Sequence, residues 1–74
     1  MLFEEMAARA GFDPRRTLWR VSEVAEITGV PKRTLYDEIL AGRLTTVRLK
    51  HRARPQYLST EGINLWLREE WTWM

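Results

Sequence analysis

The chain lacks cysteine, has a single histidine and contains no long apolar run, and each absence removes a class of function. Without cysteine no disulfide braces the fold and no thiolate site can hold zinc. His51 stands alone, so there is no histidine cluster for a metal and no evident partner for a histidine general base. No apolar stretch approaches the roughly 18–20 residues needed to span a bilayer. The opening Met1-Leu2-Phe3-Glu4-Glu5 is acidic where a signal peptide is basic. A chain of 74 residues permits one small domain, and a domain of that size buries only about 60–65% of its unfolded surface. The expectation is a soluble, intracellular binding module over residues 1–74, with no catalytic residues, no metal and no cofactor.

What the chain does have is tryptophan and charge. Four tryptophans are a supply of large apolar anchors for a thin core. The net charge of +2 conceals a strong asymmetry. Residues 15–58 carry ten Lys/Arg against Glu23, Glu26, Asp37 and Glu38, a balance of +6. Residues 1–14 and 59–74 each come to −2, with one Arg against three acids. Arg43, Arg48, Lys50, Arg52 and Arg54 follow one another with no acid between them. A polyanion such as double-stranded DNA is the natural partner of so pure a positive segment, ahead of the alternative of a solvated charged loop.

The apolar periodicity divides the chain. Leu2, Phe3, Met6, Ala7 and Ala10 fall at helical spacing, which predicts a helix over 2–10 stopped by Gly11 and Asp13-Pro14. Thr17-Leu18-Trp19-Arg20 reads as a brief extended piece. A second helix follows over 21–28, with Val24, Ala25 and Ile27 inward. Gly29-Val30-Pro31 makes a tight turn, with Pro31 suited to the first turn of a third helix that runs to Ala41 and closes at Gly42. Two short helices joined in this way over 21–41 form a helix-turn-helix. The period then changes to alternation, with Val47 and Leu49 on one face and Thr46, Arg48 and Lys50 on the other. A return strand over 53–58, with Pro55 at an edge, completes a two-stranded ribbon over 44–58. Ser59 then caps a last helix over 60–70, on which Ile63, Trp66 and Leu67 form an apolar stripe and Trp66 anchors the core. Trp71 and Trp73 fit either the core or a contact with a neighbour. The fold class is mainly α with a small β-hairpin, a winged helix-turn-helix.

The run Trp19-Arg20-Val21-Ser22-Glu23-Val24-Ala25-Glu26-Ile27-Thr28-Gly29-Val30-Pro31-Lys32-Arg33-Thr34-Leu35-Tyr36, with Gly42-Arg43-Leu44 and Trp66-Leu67 beyond it, resembles the small MerR-like winged-helix family. That family contains phage excisionases, which are recombination directionality factors, and AlpA-type regulators. The resemblance covers roughly residues 17–70. Arg20 stands where the family often has a capping Thr or Ser, and the wing lacks the usual tip glycine.

In such an arrangement the second helix of the motif enters the major groove and the wing reaches phosphates or the minor groove. With Leu35 and Ile39 inward, Arg33 and Asp37 point away from the core and Lys32 and Tyr36 flank them. Arg33 is the first choice for a base contact, and Lys32 and Thr34 are placed for phosphate near the helix start. Asp37 either orients Arg33 or accepts from a cytosine amine, against the alternative of a surface ion pair. Tyr36 either donates to phosphate or packs under the wing. Arg48, Lys50, Arg52 and Arg54, with His51 the weaker candidate, are the wing contacts.

The resemblance implies an architectural role, in which excisionases bind tandem sites cooperatively, bend DNA and direct an integrase toward excision. Double-stranded DNA, neighbouring copies of the chain and a phage integrase are the partners so implied, with the nucleoid of a bacterial host as the location and no membrane. A winged-helix transcriptional regulator is the alternative. A protein-interaction module whose basic stretch docks an acidic partner is a third, more distant reading.

Overall fold

A computed structural model describes residues 2–47 and 57–71, with side chains described as far as Arg68. Within them the chain is mainly helical, with four helices and a two-stranded antiparallel sheet. Helix α1 (Phe3–Arg9) is followed by strand β1 (Leu18–Arg20), which runs straight into α2 (Val21–Thr28). Helix α3 (Lys32–Leu40) comes after a short turn, and β2 (Tyr57–Ser59) leads directly into α4 (Thr60–Trp71). No helix among the described residues is long and apolar enough to cross a membrane.

Short helices need defined ends, and the sequence supplies them in two ways. Neither Leu2 nor Arg20, the residues preceding α1 and α2, has a side chain that can accept a hydrogen bond. A glutamate three residues later reaches back instead. Glu5 accepts the Leu2 N–H and Glu23 accepts the Arg20 N–H, each at 2.9 Å. This is the returning half of a capping box, without the forward half. At α4 the forward bond is present, with Ser59 Oγ accepting the Gly62 N–H at 2.9 Å. Gly29 closes α2 at φ 80°, a backbone conformation that side chains disfavour. Pro31, expected inside the first turn of α3, precedes it in extended conformation, and its carbonyl accepts the Leu35 N–H at 3.1 Å.

The sheet contains a pairing the sequence does not suggest. Strand β2 pairs with β1, in the register Leu18 to Ser59, Trp19 to Leu58 and Arg20 to Tyr57. On the other side of β2, Val47 pairs antiparallel with Tyr57, as the ribbon expected over 44–58 requires, and the rest of that ribbon lies outside the described residues. Leu44, expected to begin a strand, is buried in a turn. Trp19 and Leu58 are both fully buried and directly opposite each other, so burial selects the β1–β2 pairing.

Every helix contributes to one core. Phe3 and Ala7 come from α1, Val21 and Val24 from α2, Leu35 from α3, and Ile63 and Trp66 from α4. Of the apolar stripe expected on the first helix, Leu2 and Ala10 lie outside this core and are exposed. Trp66 is a core anchor as expected, but the centre of the core is Trp19. The Phe3 ring meets its indole edge-on, with centroids 5.0 Å apart and planes at 84°, and Phe12 approaches at 6.0 Å. The Arg16 guanidinium lies 4.4 Å above the indole and is held by Glu23 at 2.8 and 2.9 Å. The indole N–H donates to Thr60 Oγ1 at 2.8 Å, and that hydroxyl donates to the Arg16 carbonyl at 3.0 Å. Among the described residues no buried side-chain polar atom lacks a partner.

Replacing Trp19 with alanine should cost about 3–5 kcal/mol, comparable with the whole stability of a domain this small. Trp19→Phe keeps a ring but leaves Thr60 without its donor, and should cost about 1–3 kcal/mol. Urea denaturation followed by circular dichroism measures both. Equal losses for the two variants would show that the Thr60 bond, not the ring, is what matters.

Candidate nucleic-acid interface

The exposed face of α3 follows from how its other face is used. Leu35 is fully buried, Ile39 is partly buried and Glu38 turns inward. With about 100° of rotation per residue, these three define one side of the helix. Lys32, Arg33, Thr34, Tyr36 and Asp37 are all exposed, as the sequence predicts. Arg33 lies near the middle of the exposed arc, with Lys32 and Thr34 at its edges. Arg33 and Asp37 form no ion pair, so the alternative of a surface pair one helical turn apart is not what the structure contains. Leu40, two turns beyond Arg33 on the same arc, is 86% exposed. The sequence reading missed it, although its spacing from Arg33 was the available signal.

The start of α3 is electrostatically unlike those of its neighbours. The first turns of α1, α2 and α4 contain Glu4 and Glu5, Glu23, and Glu61 respectively. The first turn of α3 has no acid, and Lys32 and Arg33 occupy it. Pro31 has no side-chain acceptor to satisfy the leading N–H groups. A helix start favours negative charge by roughly 0.3–1 kcal/mol, so cations there are unfavourable unless an anion joins them.

Arg48, Lys50, His51, Arg52 and Arg54, the residues expected on the wing, lie outside the described residues. The described structure gives the two points from which that segment departs and returns. Leu44 is buried just before it, and the Val47–Tyr57 bridge ties its ends together next to buried Leu58.

Arg43, counted in the sequence as the first of five consecutive bases, is engaged in the fold. Its Nε and Nη2 donate to the two oxygens of Glu38 at 2.9 and 2.6 Å. Trp66 Nε1 donates to the same carboxylate at 3.0 Å. The Glu38 main-chain carbonyl also accepts the N–H groups of Arg43 and Leu44. One residue of α3 thereby fixes the root of the basic segment and ties it to α4. Gly42 makes this possible, since its φ of 80° reverses the chain and brings Arg43 back alongside Glu38. A count of charges along the acid-free run does not reveal the pair, because Glu38 precedes that run. Arg15 and Arg16 are likewise paired, with Asp13 and Glu23. The described cations on the α3 arc are therefore Lys32 and Arg33. No group of three or more His, Cys, Asp or Glu able to hold a metal occurs among the described residues.

The donors from Arg43 and then Trp66 hold the Glu38 carboxyl down to about 2, from an ordinary value of 4.5. A depressed carboxylate stabilises the fold above its unfolded value and loses that contribution on acidification. The Glu38 contribution should be complete above about pH 4.5 and lost as the pH falls toward 2. Glu38→Gln should lower stability at neutral pH by about 1–3 kcal/mol and flatten this acid limb. Denaturation midpoints measured between pH 2 and 7 test it. A variant that loses stability but keeps the full acid limb would assign that limb to another carboxylate.

Compared with protein-family models, with curated proteins and with solved structures, the chain gives no significant match.

Proposed function

We propose that the chain is a sequence-specific double-stranded DNA-binding protein of winged helix-turn-helix architecture. In this reading α2 and α3 are the two helices of the motif. Helix α3 enters the major groove, and residues 44–58 form the wing that follows the backbone or minor groove. The observation that carries the reading is the outward face of α3. It presents Arg33 at its centre and begins with an unneutralised, cationic first turn, where a phosphate supplies the missing negative charge. Arg33 contacts a base edge, with guanine the natural partner of its fork of donors. Lys32 and Thr34 hold phosphate, and Tyr36 and Asp37 border the base contact. Arg48, Lys50, Arg52 and Arg54, with His51 beside them, add sequence-independent attraction. No catalytic step and no cofactor enter this function.

The more specific role follows the family resemblance in the residues 17–70. A single module this small buries only about 600–1,000 Å² of its own surface on DNA, which suits modest affinity for one site. Specific occupancy then calls for copies side by side. We take the role to be that of an excisionase, which bends DNA at tandem sites and sets the direction of an integrase in a bacterial host. A transcriptional regulator of the AlpA type uses the same contacts at one promoter-proximal site.

Quantitative binding with variant duplexes at several salt concentrations tests the contacts. Arg33→Ala should cost about 1–3 kcal/mol at its preferred site and relax discrimination at one base pair. Lys50→Ala and Arg52→Ala should weaken all sequences similarly and lower the salt slope by about 1 each. A loss of site preference alone in the wing variants would overturn their assignment to the backbone. Footprinting separates the roles, since several adjacent protected sites with bending support an excisionase and one promoter-proximal site supports a regulator. Absence of specific binding at moderate salt overturns both.

A further inference from the structure

A second surface lies away from α3. Helices α1 and α4 meet through Phe3, whose N–H donates to Asn64 Oδ1 at 2.7 Å, and through Glu4, which accepts from Asn64 Nδ2 at 2.8 Å. Beside this junction runs an open groove of about 1180 Å³, to which no residue of α3 contributes. It exceeds the roughly 300–1,000 Å³ typical of small-molecule sites and suits a segment of polypeptide. Its apolar lining includes Leu2 and Leu65, which are 52% and 44% exposed, together with half-buried Met6. Glu4, Glu5 and Glu61 line the same groove against one cation, Arg68, so its described charge is net negative. Exposed leucines between carboxylates make a surface for a partner that is both apolar and basic.

The chain contains such a segment. Arg48-Leu49-Lys50-His51-Arg52-Ala53-Arg54 has four fixed positive charges, no acid and an apolar residue between bases. We propose that the α1–α4 groove of one copy receives the basic segment 48–54 of a second copy. Leu49 fills apolar space beside Leu2 and Leu65, while the bases face Glu5 and Glu61. The division of the sequence into acidic ends and a basic middle is then a pattern of complementary surfaces between chains. The attraction is between exposed charges and is screened within about 8–10 Å at ordinary salt, so the association weakens as salt is raised. These bases are the ones assigned to DNA above, so a duplex and the groove compete for the segment; the contact forms without nucleic acid and can fail while the proposed function stands, and the reverse.

The absence of cysteine makes the test direct, because one introduced cysteine is a unique labelling site. A spin label on Ala53→Cys keeps every base in the segment. The labelled, isotopically unlabelled full chain is mixed with the unmodified full chain carrying nitrogen-15, without nucleic acid at low salt. The expected result is selective loss of the amide signals of Leu2, Glu61 and Leu65 in the unmodified chain, reversed by high salt. Leu65→Lys, a change at an exposed helical position, should abolish that loss while the rest of the amide spectrum stays dispersed. Glu61→Gln should reduce it. Broadening centred on Lys32–Leu40 would overturn the proposal. So would the absence of intermolecular broadening at the highest soluble concentration, or an effect seen only when label and nitrogen-15 share one chain.

Discussion

The Trp19 indole sits where four parts of the chain must agree, and the rest of the domain is arranged around it. Its faces and edges are occupied by Phe3 and Phe12 near the N-terminus and by Arg16, which Glu23 of α2 holds in place. Its N–H is committed to Thr60 at the start of α4. The same side chain therefore sets the entry of α4, the seat of α1 and the beginning of α2. A domain with no disulfide and a thin core has few other ways to join elements distant in sequence. An aromatic ring joined to a satisfied polar tip does so without leaving a buried donor unpaired.

That constraint explains what was legible in the sequence and what was not. Helix boundaries were legible because their determinants are local. Gly29 and Gly42 supply the left-handed turns, Ser59 supplies a cap, and the apolar spacing of Val24, Leu35, Ile63 and Trp66 fixes inward faces. At α2 Arg20 cannot accept a hydrogen bond, and the returning carboxylate of Glu23, three residues on, supplies the cap that Arg20 lacks. The pairing of β1 with β2 was not legible, since no local pattern links Leu18–Arg20 to Tyr57–Ser59. Only the mutual burial of Trp19 and Leu58, far apart in the chain, selects the pairing that forms.

The candidate interface shows the same division. Exposure of Lys32, Arg33, Thr34, Tyr36 and Asp37 followed from helical geometry once Leu35 was placed inward. The engagement of Arg43 did not, because its partner acts across a helix end and through Trp66 on another helix. Charge counted along a sequence treats every base alike. In three dimensions Arg16 and Arg43 serve the fold, whereas Lys32 and Arg33 remain on an open face.

Helix α3 is also where the sequence departs from its own habit. The other described helices place glutamate in the first turn, and each gains from the positive end of the helix dipole. Beginning α3 with Lys32 and Arg33 gives up that gain and adds repulsion, in a domain whose total stability is small. Local rules are broken most instructively where a ligand repairs them. A phosphate at this helix start would restore the missing negative charge and align Arg33 beside it, whereas a protein partner would need an acid at the same spot. The spacing of the two cations on adjacent residues, one central to the exposed arc and one at its edge, divides their work. In the proposed function Lys32 takes the backbone of the duplex and Arg33 the bases within its groove.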